Sequence, residues 1–199
     1  RYAEDQSPAI INPLFTTTMS EARIDELIFE GLFTDSQELA TTPMLAEDFT
    51  LAEDGRSMEL SVRQDVSWHD GHGFNAEDVV FTIETLKNPA TLSTEAGRVS
   101  WIETVEQLDT FTVRLTFSEP QARPQDKLFF KILPAHAFQG TTVKRTDPFR
   151  TAPLGTGSYR LDRYNEDNSI TLSRFADHRT AARIPEIVMR EVSDKNYQA

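Results

Sequence analysis

The chain has 199 residues, 32 acidic against 20 basic, with four histidines, no cysteine and a formal net charge of −12. That length fits one domain, or a domain and a half, and is enough to bury a real core. The acidity excludes a general nucleic-acid binder, which needs a basic face for phosphates, and the missing cysteine excludes disulfides, thiolate metal sites and cysteine nucleophiles.

Thirteen phenylalanines and 10% aromatics argue against disorder. No apolar run approaches the roughly 18–20 residues of a membrane span. No basic-then-apolar signal sequence opens the chain. The charge is uneven. Residues 1–56 hold 12 acids and three bases (Arg1, Arg23, Arg56), whereas residues 121–150 hold two acids and six bases (Arg123, Lys127, Lys131, Lys144, Arg145, Arg150). This is either a solvated surface of varying sign or a basic patch that meets a ligand or partner.

In chain order, Pro8 to Phe15 reads as a short strand and loop. Thr18-x-x-Glu21 has capping-box spacing and predicts a helix with Ile24, Leu27 and Ile28 on one face and Gly31 as its stop. Asp54-Gly55 predicts a turn between strands at Asp48–Leu51 and Met58–Arg63. Val66–Trp68 leads into a His69-Asp70-Gly71 turn. Asn75 caps a second helix with Val79, Val80, Ile83 and Leu86 as its buried stripe, ended by Asn88-Pro89. Phe111, Val113, Leu115 and Phe117 alternate as a strand. Residues 127–133 read as a short helix ended near Pro134. A hairpin follows: Tyr159 to Tyr164, a turn at Glu166-Asp167-Asn168, and Ser169–Ser173. Ile184–Val192 is a last strand. Strands outnumber helices, so a mixed, largely antiparallel α/β domain is expected.

No catalytic constellation stands out. His69 and His72 flank Asp70 but crowd one tight turn, and no matching ligand pair follows at a recognised spacing, so a backbone turn is expected there and no metal. Gly155-Thr-Gly-Ser-Tyr159 lacks the Lys-Ser/Thr of a phosphate loop and precedes a strand. His136 has no visible nucleophile or oriented carboxylate with it.

An ordered set of segments does carry information. Phe74-Asn-Ala-Glu-Asp-Val-Val-Phe-Thr-Ile-Glu-Thr-Leu-Lys-Asn-Pro89 resembles the signature helix of the bacterial extracellular solute-binding proteins of family 5, the oligopeptide, dipeptide and nickel type of ABC importers. Val66-Ser-Trp-His-Asp-Gly71 precedes it as in that family. Leu45-Ala-Glu-Asp-Phe49, Asn12-Pro-Leu14 and Glu30-Gly-Leu-Phe33 resemble its earlier pieces. Ile132-Leu-Pro-Ala-His136 and Pro153-Leu-Gly-Thr-Gly-Ser-Tyr-Arg160 resemble its later ones, with Ser158 where the family usually has proline.

The resemblance implies the first lobe of a two-lobed, type II periplasmic-binding-protein-like fold. It implies a binding protein rather than an enzyme, with no cofactor. The protein would capture a small solute, a peptide first of all, between its lobes and deliver it to a membrane permease. It would be periplasmic, or extracellular and membrane-anchored. The chain ends at Ala199, where the family's second lobe and returning strands have yet to come, so residues 1–199 are expected to be the leading part of lobe I. The alternative is a ligand-sensing domain of the same fold in a transcriptional regulator.

In this family the loop after the first strand reaches the cleft, which makes Thr16, Thr17, Thr18 and Met19 candidate ligand contacts. Thr18 equally reads as a cap and Met19 as packing. Arg98 and Trp101 offer a cation and an aromatic, with Trp101 equally a core residue. The basic stretch from Arg123 to Lys131, Arg123 and Lys127 first, can pair with an anionic group such as a peptide carboxylate, or lie on a solvated or lobe-facing helix.

Overall fold

A computed structural model describes residues 2–4, 10–36, 38–138, 140–167, 169–180 and 182–191. Among the described residues, three antiparallel or mixed sheets and two α-helices make up the architecture. The central sheet has the order β4 (Ala46–Leu51), β5 (Ser57–Val62), β7 (Thr112–Phe117), β6 (Ile102–Asp109), antiparallel throughout. Met58, Leu60 and Val62 are buried from β5, as are Val113, Leu115 and Phe117 from β7. That period of two is what a sheet with one covered face requires.

Helix α2 (Ala76–Lys87) lies against β6 and β7. It is closed at its N-terminus by the expected capping box between Asn75 and Asp78 and ends at Asn88. Val79, Ile83 and Leu86 are fully buried, and Val80 is half-buried. Each buried side chain contributes roughly 1.5–3 kcal/mol, against about 1 for the cap, so the stripe decides where the helix sits.

Helix α1 (Met19–Ile28) carries the capping box read from Thr18 and Glu21. It ends at Ile28, ahead of Gly31. A two-stranded piece follows, β2 (Phe33–Asp35) with β3 (Thr41–Pro43). The other four-stranded sheet has the order β1 (Tyr2–Glu4), β10 (Glu186–Glu191), β9 (Ile170–Arg174), β8 (Tyr159–Tyr164). Its β8–β9 hairpin is the one expected, and β1 joins β10 in parallel. Pro8, Ala9, Asn168 and Val192, which belong to the expected elements, lie outside the described residues.

Two expected elements are corrected. Residues 10–15 form a loop and turn with no strand. Residues 127–133 are not a helix. A short 3-10 turn spans Pro124–Lys127, and the chain then runs extended. Lys131 bridges Gly31, and the Ile132 N–H donates to the Glu30 carbonyl at 2.9 Å. Leu128, Phe130 and Ile132 are buried while Phe129 and Lys131 are half-buried, the period of a strand rather than a helix.

The segments that carry the family resemblance interlock. Asp78 accepts from the Trp68 indole (3.1 Å), the Asn75 N–H (3.1 Å) and the Ala135 N–H (2.8 Å). The Thr82 hydroxyl accepts from the Leu133 N–H at 2.9 Å. Thus the tryptophan turn, the signature helix and the Leu-Pro-Ala-His step are fastened by one buried carboxylate and one hydroxyl. The Gly155-Thr-Gly157 stretch lies on the C-terminal end of α1: the Gly157 N–H donates to the Ile28 carbonyl at 2.8 Å. A Cβ at Gly155 would stand 1.8 Å from that carbonyl oxygen, and one at Gly157 2.5 Å from the Leu27 carbonyl oxygen. The two glycines serve close backbone approach, not phosphate binding.

His69 secures the same stretch from the other side. Its backbone N–H donates to the Gly155 carbonyl at 3.0 Å, and its Nδ1 accepts from the Gly155 N–H at 3.3 Å. Nε2 is 2.9 Å from the Gly157 carbonyl oxygen, so the proton belongs on Nε2. Burial holds the His69 pKa down to about 4, against the hydrogen bond to Gly157 that favours the charged ring. His69 is a structural, neutral histidine.

Candidate functional site

Asn12-Pro-Leu14 begins the site. The Asn12 side chain accepts from the Leu14 N–H at 3.1 Å, and the Asn12 carbonyl accepts from the Phe15 N–H at 2.9 Å, which turns the chain toward α1. The Leu14 carbonyl then accepts from the Ser93 hydroxyl (2.7 Å) and the Thr94 N–H (3.0 Å). This anchor draws the segment carrying Arg98 alongside Thr16. On the far side, the extended run 128–133 brings Lys131 up to α1.

The result is a pocket of about 210 Å³ lined by Pro13, Leu14, Thr16, Ala22, Asp25, Glu26, Glu95, Arg98 and Phe129–Lys131. Its walls are a turn, one face of α1, a 3-10 turn (Ala96–Val99) and an extended segment. Both signs of charge are present. Lys131 Nζ is 2.7 Å from Glu26 Oε2, and Arg98 is paired with Glu95.

Asp25 is 3% exposed. Its Oδ2 accepts from the Thr16 hydroxyl at 2.5 Å, and its Oδ1 is buried without a hydrogen-bond partner. Burial pushes the Asp25 carboxyl up to about 7; the Thr16 hydrogen bond opposes this, Glu21 and Glu26 reinforce it, and Lys131 opposes it. A carboxyl poised near neutrality at a pocket wall is a site-like feature.

Of the residues expected from sequence, Thr16 and Arg98 meet in this pocket. Thr17 and Thr18 are committed to the helix cap: Glu21 Oε2 accepts from the Thr17 N–H (2.9 Å), the Thr17 hydroxyl (3.1 Å) and the Thr18 N–H (3.1 Å), and Thr18 Oγ1 accepts from the Glu21 N–H (3.2 Å). Met19 is 69% exposed at the first turn of α1.

Trp101, Lys127 and Arg123 are not among the residues that line this pocket. The Trp101 ring packs on Phe117 at 5.0 Å and its indole donates to the Arg98 carbonyl at 2.7 Å. Lys127 Nζ sits 5.0 Å over that ring, and Arg123 pairs with Asp126 at 2.7 Å. Sequence reading passed over Asp25, Glu26 and Glu95, and placed Lys131 only within a basic stretch. Asp25 stands three residues before the buried Ile28, so its position on the covered face was the available signal.

Two other depressions are less suited. One of about 340 Å³ includes Glu30, His178 and Arg179, but Arg179 already grips the Glu30 carboxylate in bidentate fashion at 2.7 and 2.8 Å. One of about 560 Å³ beside α2 gathers Phe81, Glu84, Lys87 and Thr141 in an open setting without a convergent charge set.

The comparisons agree with this architecture. The family described as bacterial extracellular solute-binding proteins, family 5 (middle), matches residues 40–199. Glutathione-binding protein GsiB of Shigella flexneri is 28% identical over 188 residues, covering 92% of this chain and 36% of that protein. The structure of NikZ from Campylobacter jejuni in complex with Ni(L-His) superposes with a TM-score of 0.87 at 27% identity, over 98% of this chain and 39% of that one. The oligopeptide-binding protein AppA from Bacillus subtilis, in complex with a nonapeptide, gives 0.91 at 19% identity, over 98% and 40%, a likeness of fold. The chain therefore spans well under half the length of the relatives it matches. The family is one of binding proteins rather than enzymes, and its members work outside the cytoplasm. With the family match, the interlocked motifs and the fold in agreement, the chain belongs to the bacterial extracellular solute-binding proteins of family 5.

Proposed function

We propose that residues 1–199 form the leading part of lobe I of the solute-binding component of an ABC importer, and that the solute is a peptide. The observation that carries this reading is the pocket in which Thr16, Asp25, Arg98 and Lys131 surround the apolar Leu14 and Phe130. A peptide is zwitterionic and partly apolar. Arg98 and Lys131 offer charge-assisted hydrogen bonds to carboxylates, and Glu26 offers them to amines. Glu95 and Glu26 pair with the two cations, and a peptide carboxylate takes over their role on binding.

Relatives support the peptide class: GsiB is named for glutathione, AppA was solved with a nonapeptide, and a dipeptide-binding protein from Pseudoalteromonas sp. SM9913 was solved with Met-Leu. The chain presents one wall of the cleft, and a second lobe closes over the solute before delivery to the membrane permease.

The test is peptide titration of the full-length protein and its Arg98→Ala and Lys131→Ala variants. Each variant is expected to weaken binding at least tenfold, about 1.4 kcal/mol. Unchanged affinity in both variants rejects this pocket as the solute contact.

A further inference from the structure

The turn that follows Trp68 meets a second turn 64 residues later in the sequence, and the two together gather three metal-ligating side chains. His136 Nε2 is 2.9 Å and His72 Nδ1 3.1 Å from the same oxygen, Asp70 Oδ2. The two imidazole rings stack at 4.2 Å with 21° between their planes. One donor atom from each residue lies within 4.8 Å of the other two. We propose that Asp70, His72 and His136 form a surface site for one divalent transition-metal ion of the Zn²⁺ or Ni²⁺ kind.

The donor set argues for that class. Two imidazole nitrogens and one carboxylate oxygen suit borderline ions, whereas Ca²⁺ and Mg²⁺ require mostly oxygen. The spacing argues for it as well. Around an ion with bonds of about 2.0–2.1 Å, tetrahedral donors stand roughly 3.3 Å apart. The two contacts to Asp70 are already near that separation, and binding requires the two stacked rings to turn so that both nitrogens face the ion.

The backbone beneath the ligands is fixed. The Trp68 N–H donates to the His72 carbonyl, and the Gly71 N–H to the Trp68 carbonyl, both at 2.8 Å. Asp70 Oδ1 accepts from the His72 N–H at 3.2 Å, which leaves Oδ2 turned to the two rings. His136 stands on a 3-10 turn (Ala135–Ala137) whose first N–H is held by Asp78, and its ring lies edge-on to Trp68 at 6.2 Å. None of the three ligands lines the solute pocket, so this site is independent of the peptide reading. A bound ion clips the two turns together, closing a long loop, and keeps a coordination position open for water or an outside ligand.

The test is calorimetric titration of the chain, first stripped with a chelator, with Zn²⁺, Ni²⁺ and Ca²⁺. The expected result is one equivalent of Zn²⁺ or Ni²⁺ and no Ca²⁺, with affinity lowered about tenfold or more by His72→Ala and by His136→Ala. His72 is exposed, so its replacement leaves the fold intact. Imidazole NMR signals supply a second readout: those of His72 and His136 shift with Zn²⁺ while those of His69 and His178 stay. Absence of binding, binding indifferent to His72→Ala, or shifts at the other two histidines overturns the proposal.

Discussion

Asp25→Asn isolates the carboxyl at the wall of the proposed solute pocket. In the unfolded chain Asp25 titrates near 3.8, whereas in the folded protein burial lifts it to about 7. The folded state therefore favours the protonated form. Stability linked to this group is fully present at low pH and is lost as pH rises from about 4 through 7, because only the folded state must bury the charge. The whole shift corresponds to about 4 kcal/mol, and roughly 2–3 kcal/mol of it falls between pH 5 and pH 8. Asparagine keeps an acceptor for the Thr16 hydroxyl but places an amide where Oδ1 has no partner, a cost of roughly 1–3 kcal/mol at every pH. The absolute effect is therefore a balance, but its change with pH is not. Urea unfolding at pH 5 and pH 8 should show the variant gaining about 2–3 kcal/mol relative to wild type on going to the higher pH. An equal difference at both pH values would refute the account of a buried, neutral-leaning carboxyl.

His69 has the opposite sign: its folded pKa of about 4 lies below the ordinary 6.5, so it stabilises above pH 6.5 and loses about 3 kcal/mol as pH falls to 4. Unfolding curves of His69→Gln should lack that acid loss. Gly155→Ala drives a Cβ onto the Ile28 carbonyl and should cost more than about 3 kcal/mol in chemical denaturation, whereas Gly97→Ala, with open space around it, should stay within about 1 kcal/mol of wild type. Asp78→Ala leaves one buried and two part-buried donors unpaired and should cost about 3–5 kcal/mol, with an altered Trp68 environment visible in fluorescence. Lys127→Ala removes a cation from the face of Trp101 and should change stability by less than about 1 kcal/mol, read from the thermal midpoint.

Both helices were legible because each combines a cap with an apolar stripe, and the two signals agree at Thr18 with Glu21 and at Asn75 with Asp78. Strand β6 was not. Its ladder with β7 shifts register between Ile102 and Thr104 and again between Gln107 and Asp109, so only Ile102 and Val105 are buried and no alternation survives. The run from Lys127 to Leu133 misled for another reason: a short apolar stretch has no period of its own, and its pairing with Glu30 and Gly31 is a long-range fact. The proposed solute pocket was half legible. Thr16 came through the family resemblance and Arg98 as a cation that could line a cleft. Asp25 looked like any helix-surface acid, and Lys131 reaches the pocket only because its segment is extended rather than helical. Asp70 and His72 were read from sequence as a backbone turn without a metal, since His136 arrives from a distant turn that no local pattern announces.

Isothermal titration of the full-length protein with a dipeptide, a nonapeptide, reduced glutathione and nickel–histidine tests the central claim most directly. Saturable one-to-one binding of at least one peptide, weakened at least tenfold by Arg98→Ala, is the predicted result. Heat released by none of the peptides, or peptide binding unchanged in both Arg98→Ala and Lys131→Ala, would contradict it.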